Sequence, residues 1–397
     1  MRDSYISYLK QSVKNGQYSA PFRRAYQVMA LKASRKLSAP LPGAGPLHGS
    51  ITVTYRCNLK CGMCYLWKGP SQYGLKGIGE ELSTEEMKKV IDDFAAIGTA
   101  GIGFTGGEPM LRTDMLDLIT HTKKRGMITH MSCNGFLTAN KELCKKIIES
   151  GLDAIGFSLD GVSAETHDKV RGRDGSYDRV LKSIDNFVEL RKELGRDVKI
   201  IVVCVVSNYN VNELVDLIAL LKTKNVDHIS FMPFHDIGLL GFKPENSMDF
   251  RIKERNLEKL NEAIDKIIEL KKVDKVIENS MADKVIENSM AYLKLFKDCF
   301  ANKKWPTPCY AGYGTLAIGA WGHIYPCFPR MEAEVGKGPN VRNISIKEFW
   351  TSQQAKKMRG EIKECRECYW NNQAEINLLL HGAPKEVKDK EAVLAKT

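Results

Sequence analysis

The stretch VTYRCNLKCGMCYLW, residues 53–67, carries the strongest structural signal in this sequence. Its three cysteines, Cys57, Cys61 and Cys64, are arranged with C-x3-C-x2-C spacing. This spacing lets one short loop present three thiolates to a single four-iron cube, so that the fourth iron has no protein ligand. A cluster used only for electron transfer is normally held by four cysteines. The spacing therefore predicts a cluster with an open iron, where a small molecule can bind and react.

Two simpler interpretations of the cysteine triplet are a zinc site and a group of buried free thiols. A structural zinc site needs a fourth Cys or His close by, and it usually contains C-x2-C pairs. No fourth ligand follows the triplet nearby in the sequence. An iron-sulfur loop is therefore the favoured interpretation.

A second motif is GFTGGEP at residues 103–109, in which GGEP comes directly after a predicted strand. The first glycine of GGEP lies 42 positions after Cys64. Together the two motifs resemble those of the radical SAM superfamily. One departure is Met63, because the residue before the third cysteine is usually aromatic in that family. The resemblance implies that the triplet holds a catalytic 4Fe-4S cluster whose unique iron chelates S-adenosylmethionine (SAM). It also implies reductive cleavage of SAM to a 5'-deoxyadenosyl radical, which abstracts hydrogen from the substrate.

The resemblance also implies which residues bind SAM at the ends of the predicted strands. The glycines of GGEP would let the backbone approach the methionyl part of SAM, and the Glu108 carboxylate would accept from its ammonium. Arg171 would pair with the SAM carboxylate. A simpler interpretation of each residue is a turn position, since Asn-Gly and Asp-Gly favour turns. The implied SAM-binding residues are Gly106, Gly107, Glu108, Ser132, Asn134, Ser158, Asp160 and Arg171.

Short β-type runs alternate with helical patterns from residue 50 to residue 233. Ser83 and Glu86 form a capping box, which predicts the start of the first helix after the cysteine loop. Such alternation indicates crossover units around a parallel sheet, with the ligand site at the carboxyl ends of the strands. The sequence therefore predicts an α/β fold with a partial, TIM-like (β/α)6 barrel. The predicted strands are 50–55, 101–105, 127–132, 154–159, 198–206 and 228–233.

A second group of cysteines lies in the C-terminal quarter. Cys309, Gly322 and Cys327 form C-x12-G-x4-C, with a predicted hairpin between the cysteines, and Cys365 and Cys368 form C-x2-C. The pattern resembles the twitch domain, a shortened relative of the SPASM extension, in which four cysteines hold one auxiliary 4Fe-4S cluster. A zinc ribbon is the rival interpretation. Four ligands leave no open iron, so an auxiliary cluster here is expected to pass electrons or to brace the site.

Composition shifts divide the chain into five predicted segments. The sequence DKVIENSMA occurs twice in tandem, at 274–282 and 283–291. Nine residues rotate a helix by a net half turn, which would reverse any buried face beyond them, so this region is expected to be peripheral. The segments are a basic helix with a Pro/Gly linker at 1–49, the barrel at 50–245, a helical connector at 246–304, a twitch/SPASM-like domain at 305–380 and a polar tail at 381–397.

The N-terminal segment is strongly basic. Residues 1–49 hold eight basic residues against Asp3 alone, which is +7 of the total net charge of +11. An apolar stripe at helical spacing comprises Phe22, Tyr26, Met29, Ala33 and Leu37. One interpretation is a helix packed on the main domain with a solvated basic face, and the other is a surface that docks on anionic lipid or an acidic partner. An organelle transit peptide is a third. Nucleic-acid binding is not expected, because interleaved exposed aromatics are missing beyond this segment.

Cysteine usage and hydropathy predict a cytoplasmic, reducing location, with peripheral membrane contact as an addition. No apolar run approaches the roughly 20 residues of a membrane span, and no signal-peptide core precedes the cysteine triplet. Seven of the 11 cysteines have cluster-like spacings. The remaining thiols are expected to be buried and structural: Cys133, Cys144, Cys204 and Cys299.

The combined signals predict a radical SAM oxidoreductase that abstracts hydrogen from an unactivated C–H bond. The expected substrate is a small molecule, a cofactor precursor, a lipid or a peptide, and a flavodoxin or ferredoxin would supply electrons. Maturation of a ribosomally made peptide is an alternative, although residues 1–49 are too short for the winged-helix leader-binding domain of many such enzymes. A non-catalytic iron-sulfur electron-transfer protein is an alternative of another class. No residue is assigned as the substrate's acid or base.

Overall fold

The computed structural model describes residues 19–64, 66–68, 79–234, 247–276, 285–301, 303–384 and 387. Part of the tandem repeat, residues 277–284, lies outside the described residues. The same holds for most of the predicted polar tail, from residue 385 onward apart from Val387.

The described strands form one sheet in the order β6-β5-β4-β3-β2-β1-β7-β8. Strands β1 to β6 run parallel to their neighbours, as the alternating pattern predicts. Each of the six predicted barrel strands is present, with its bounds shifted by three residues or fewer. The strands are β1 His48–Thr52, β2 Gly101–Thr105, β3 Ile128–Cys133, β4 Ala154–Ser158, β5 Lys199–Val206, β6 His228–Pro233, β7 Thr315–Ile318 and β8 Ile324–Tyr325.

Helices follow the barrel strands and cover the outer face of the sheet. In the described chain they are α1 Ser19–Leu37, α2 Thr84–Ala96, α3 Met115–Lys124, α4 Lys141–Glu149, α5 Ala164–Arg171, α6 Ser176–Glu193, α7 Leu214–Thr223, α8 Ser247–Phe250, α9 Leu257–Val276, α10 Met290–Phe300, α11 Phe328–Ala333, α12 Ile346–Thr351, α13 Gln353–Ile362 and α14 Asn371–His381. Short 3-10 turns lie at Leu66–Lys68, Pro109–Leu111 and Glu254–Asn256.

Local sequence signals explain where the site-forming helices begin and end. The predicted capping box is present at the start of α2, where Ser83 accepts from Glu86 N and the Glu86 side chain accepts from Ser83 N. Helix α5 starts at the cap Ser163, which accepts from Thr166 N, and ends at Gly172 in the left-handed conformation. Only glycine adopts that conformation without strain.

The C-terminal hairpin extends the barrel sheet. Strand β7 pairs in parallel with β1 and antiparallel with β8, so that Ile51 of β1 lies between Phe104 and Ile318. The predicted turn is present, with Gly322 N donating to Gly319 O at 2.8 Å. The apolar core is continuous across this junction. The C-terminal region is therefore joined to the barrel by main-chain pairing, a connection that the sequence analysis does not predict.

Helix α1 packs at the amino-terminal side of the barrel through a face that combines polar and apolar side chains. The Gln27 side chain donates to Gly45 O at 2.7 Å and to Gly98 O at 3.0 Å. Buried Leu31 packs in the cluster that includes Ile376 of α14. Helix α1 is therefore packed on the main domain, as one of the interpretations expects. The apolar stripe, however, faces away from the contact. Within the described residues, every helix is too short or too polar to span a bilayer.

Candidate functional site

The cysteine loop, residues 53–64, leaves the carboxyl end of β1 and crosses the continuation of β2. Gly107 N donates to Thr54 O at 2.8 Å, which fixes the two segments together. A Cβ added to Gly106 would lie 2.3 Å from Thr54 O, and one added to Gly107 would lie 2.1 Å from Arg56 O. The paired glycines are therefore required for the approach of the loop backbone. This role differs from the approach of SAM that the resemblance implies for them.

The loop is also held by residues from outside the two motifs. The carboxylate Oε1 of Glu81 accepts from Tyr55 N at 2.7 Å and from Thr54 Oγ1 at 3.0 Å. Gly62 N donates to Val170 O, at the end of α5, at 3.2 Å. No sequence signal indicates the role of Glu81, because it acts on a segment more than 20 residues earlier in the chain.

The three loop cysteines form one electrostatically coupled group, with Cys61 next to both Cys57 and Cys64. Burial raises the pKa of Cys57 to about 11, and it also raises the pKa of Cys61 and of Cys64. Thiolates in such surroundings require a nearby positive charge, which bound iron supplies. The donor set fits an iron-sulfur cluster, since three neighbouring sulfurs project from a single short loop.

Glu108 is fully buried and joins the ends of β2 and β3. Its Oε1 accepts from Met110 N at 3.2 Å, and its Oε2 accepts from Asn134 N at 2.9 Å. Burial raises the pKa of Glu108 to about 7, although these backbone hydrogen bonds oppose the rise. Asn134 in turn donates from Nδ2 to Asn58 Oδ1 at 2.8 Å, so it fastens this junction to the cysteine loop.

Arg171, the last residue of α5, lies between Asp160 and the cysteine loop. Its Nε is 2.7 Å from Asp160 Oδ2, and both side chains are buried. The contact is an ion pair without hydrogen-bond alignment. The other Asp160 oxygen accepts from Val205 N at 2.9 Å, and burial raises the pKa of Asp160 while Arg171 opposes the rise. The guanidinium is also a positive neighbour of the Cys61 thiol.

A cavity of about 410 Å³ occupies the barrel lumen in front of these residues. Ser132, Ser158 and Arg171 line it at the strand ends, together with Cys64. The other implied SAM-binding side chains, those of Glu108, Asn134 and Asp160, lie outside its lining. The structure therefore brings the implied residues to one end of the barrel and divides them into cavity-lining residues and residues that support the lining.

Two histidines in the lumen are additional candidates that the sequence analysis does not identify. His48 of β1 and His130 of β3 line the cavity, and burial lowers the pKa of each to about 4, so both imidazoles are neutral near pH 7. Glycines make room for them: a Cβ on Gly103 would lie 2.6 Å from His48 Cε1, and one on Gly156 would lie 3.0 Å from His130 Nε2. The alternation of side chains along a strand could have identified the two histidines, because inward-facing positions recur at every second residue.

The C-terminal cysteines lie in three places: Cys309 before β7, Cys327 at the start of α11, and Cys365 and Cys368 before α14. Cys309, Cys327 and Cys365 pack in one cluster with Ile362. Burial raises the pKa of Cys327 to about 12, whereas the hydrogen bond between Cys309 and Cys365 lowers the pKa of Cys365 and raises that of Cys309. Cys368 is an electrostatic neighbour of Cys327 and Cys365. Four sulfurs from two distant chain segments thus share one region, and this donor set fits a fully ligated cluster.

Comparisons with known families match both cysteine regions. The radical SAM superfamily matches residues 51–221, and the SPASM family, described as an iron-sulfur cluster-binding domain, matches residues 309–369.

Similar curated proteins include three enzymes. Fe-coproporphyrin III synthase of Methanosarcina barkeri is 35% identical over 55% of this chain and 49% of its own length. A probable GTP 3',8-cyclase of Saccharolobus solfataricus is 32% identical over 56% of this chain and 67% of its own length. PqqA peptide cyclase of Rhodopseudomonas palustris is 26% identical over 78% of this chain and 74% of its own length. The chain thus spans about half of the first relative and more of the other two.

The fold is similar to that of SuiB from Streptococcus suis, solved in complex with S-adenosylmethionine. The TM-score is 0.62 at 16% identity, and the match covers 97% of this chain and 85% of SuiB. SuiB bound to its precursor peptide SuiA gives a TM-score of 0.60 at 16% identity, over 95% of this chain and 86% of that one. At this identity the likeness concerns the fold alone. The two family matches and the cysteine loops together identify this chain as an enzyme of the radical SAM superfamily with a C-terminal SPASM domain, and its cofactors as SAM and 4Fe-4S clusters.

Proposed function

We propose that this enzyme is an oxidoreductase that abstracts hydrogen from an unactivated C–H bond of a substrate held in the barrel lumen. The observation that carries the proposal is the single cavity that reaches both cysteine regions. Cys64 and Arg171 line it at the first region, and Phe328 and Trp370 line it within two residues of cysteines of the second. A substrate in this cavity would contact the neighbourhood of both clusters.

In this proposal, Cys57, Cys61 and Cys64 hold the catalytic cluster, and four cysteines hold the auxiliary one, namely Cys309, Cys327, Cys365 and Cys368. When bound, the catalytic cluster and SAM would supply a hydrogen-abstracting radical, and the auxiliary cluster would accept the electron that the substrate radical loses as it is oxidised. The chain itself positions them and excludes water. Buried backbone bonds fix the loop, and the apolar lumen keeps competing hydrogen donors away.

The SAM-binding roles divide according to position. Ser132, Ser158 and Arg171 line the cavity, so they are proposed to contact SAM directly. Gly106 and Gly107 are proposed to fix the position of the cysteine loop, whose backbone they allow to approach closely. Asp160 is proposed as a positioning residue, because its carboxylate orients the Arg171 guanidinium from behind. Glu108 and Asn134 are proposed to act on the ammonium side of SAM, behind the residues that line the cavity.

The lumen favours a substrate with substantial apolar bulk. Aliphatic side chains such as Ile102, Ile201 and Val203 form much of its walls, and neutral His48 and His130 offer hydrogen bonds. Three carboxyl side chains also line it, those of Glu287, Glu332 and Glu375. A small molecule, a cofactor precursor or a lipid meets this description. The similarity to Fe-coproporphyrin III synthase supports a cofactor precursor, and a flavodoxin or ferredoxin is the proposed electron donor.

Peptide maturation is the second candidate function. The match to PqqA peptide cyclase extends over 78% of this chain, more than the other two curated relatives cover. A peptide would have to enter the lumen through one side chain, since the cavity volume of about 410 Å³ is small for a folded segment. Incubation with candidate precursor peptides, followed by mass measurement, would distinguish this function from small-molecule oxidation.

The proposal is tested by replacing the three loop cysteines together, Cys57→Ala, Cys61→Ala and Cys64→Ala. Iron should fall from about eight to about four per chain, because each cube contains four irons. Formation of 5'-deoxyadenosine from SAM and dithionite should stop, while a reducible cubane signal in electron paramagnetic resonance should remain. Cys144→Ala, at a buried thiol outside both regions, is the matched control and should keep both clusters.

Retained SAM cleavage in the triple variant would contradict the catalytic assignment. Zinc without residual iron would contradict the auxiliary cluster, and a wild-type protein that never forms 5'-deoxyadenosine would favour the electron-transfer alternative. The electron-acceptor role has its own test in Cys365→Ala. That variant should still form 5'-deoxyadenosine but should lose the oxidised product.

A further inference from the structure

Helix α1 exposes an apolar stripe to solvent. Phe22 is 79% exposed, Tyr26 47%, Met29 63% and Leu37 64%. These four side chains recur at three-, four- and eight-residue spacing, so they share one side of the helix. They are most of the large apolar side chains that stand exposed on the described part of the chain, the remaining one being Val273. Apolar side chains gathered in this way mark an interaction surface.

The stripe is not needed to attach the helix, because the opposite side of α1 is bound firmly to the barrel. The Gln27 side chain donates to backbone oxygens at Gly45 and Gly98, and Leu31 and Ser34 are fully buried. The Arg35 Nε donates to Cys309 O at 2.9 Å. The helix is thus held in one orientation with its stripe directed outward.

Exposed cations border the stripe on both sides. Lys32 and Lys36 lie along one border, and Arg23 lies along the other, at 100° per residue. Helix α1 contains no Asp or Glu, and five of its 19 residues are Lys or Arg. An exposed apolar stripe bordered by cations is the pattern of helices that lie in the interface of an anionic bilayer, with the cations at the headgroups.

We propose that α1 docks this enzyme on an anionic lipid surface through the stripe and its flanking cations. Two copies of α1 would bring six exposed cations together, those of Arg23, Lys32 and Lys36 from each copy, without an acidic partner on the helix, so a second copy of the chain is a poor occupant. A bilayer accepts a convex apolar ridge without a complementary groove and supplies the negative charge. The proposal concerns location and is independent of the proposed reaction.

Docking would bring one end of the lumen close to the bilayer. Ile376 of α14 packs in the apolar cluster of α1 and also lines the cavity, as does Leu47. One layer of side chains therefore separates the attached face of α1 from the apolar end of the cavity. In an enzyme seated in this way, α1 and this layer of side chains would lie between the bilayer and that end of the lumen.

The test measures co-sedimentation of the full-length protein with phosphatidylcholine vesicles that contain or lack phosphatidylglycerol. Wild type should bind the anionic vesicles, and high salt should weaken the binding. Changing Arg23→Gln, Lys32→Gln and Lys36→Gln together should lower the partition coefficient roughly 100-fold, at roughly fivefold per cation. The matched control changes three exposed lysines on outer barrel helices, Lys124→Gln, Lys146→Gln and Lys182→Gln, and should keep wild-type binding.

A second variant, Phe22→Ser with Met29→Ser and Leu37→Ser, removes the stripe at constant charge and should also abolish binding. These side chains are exposed, so folding and cluster content should be unchanged. Absence of binding to anionic vesicles, or equal loss in the lysine control, would overturn the proposal. Self-association in light scattering that the stripe variant abolishes would also overturn it, because a second copy would then be the occupant.

Discussion

Replacing Gly107 by alanine should remove the catalytic cluster while sparing the auxiliary one. The new Cβ would lie 2.1 Å from Arg56 O and 2.8 Å from Tyr55 O, whereas ordinary contacts begin near 3.4 Å. The loop backbone must therefore move by about 1.3 Å. Such a shift breaks the 2.8 Å bonds from Gly107 N to Thr54 O and from Glu108 N to Arg56 O. Their loss costs about 2 kcal/mol at roughly 1 kcal/mol each.

The larger effect concerns the thiolates, because a metal site requires its ligands within about 0.5 Å of their positions. Iron in reconstituted Gly107→Ala should fall from about eight to about four per chain. Gly360→Ala is the control, since a Cβ there meets nothing within 4 Å and Gly360 lies in helix α13. A Gly107→Ala protein that keeps about eight irons per chain but no longer binds SAM would refute this reasoning. It would show that Gly107 is needed for the approach of SAM and not for the position of the cysteine loop.

Two further predictions concern the residues behind the cavity. Burial raises the pKa of Glu108 to about 7, so its carboxylate form should increase about tenfold from pH 6 to pH 8, and SAM affinity should rise with it. The same raised pKa means that native stability present below about pH 4.5 is lost as pH rises through about 7. Glu108→Gln should show neither change in SAM titrations and denaturation across that range, and an affinity rise that persists in the variant would assign it to another group. Asp160→Asn leaves the buried Arg171 charge uncompensated, at a cost of about 3–5 kcal/mol, and should lower both thermal stability and SAM affinity. Asp185→Asn, which breaks a half-exposed pair with Lys224, should cost about 1 kcal/mol or less; equal SAM affinity in both variants would count against the positioning role of Asp160.

The barrel was largely predictable from the sequence because its signals are local. The period of each strand, the capping box at Ser83 and the hairpin turn near Gly319 depend on residues only a few positions apart. The cysteine spacing is equally local, since three ligands in one short loop constrain the cluster type.

The unpredicted features depend on contacts between distant segments or on a choice between two faces. Pairing of β7 with β1 joins residues more than 260 positions apart. The hydrophobic periodicity of a strand does not indicate which distant strand it pairs with. Helix α1 carries two possible packing faces. The face that packs combines Gln27, which donates to backbone oxygens of the linker and of the turn before β2, with buried Leu31. Apolar periodicity alone would select the other face.

The pairing of β7 with β1 also affects the distance between the two cysteine regions. Strand β1 leads into the cysteine loop, while β7 lies between Cys309 and Cys327, so strand register links the two cysteine regions. A slip of one residue would shift β7 by about 3.3 Å and turn its side chains to the opposite face of the sheet. In the proposed enzyme, this register would therefore help to set the separation between the two clusters.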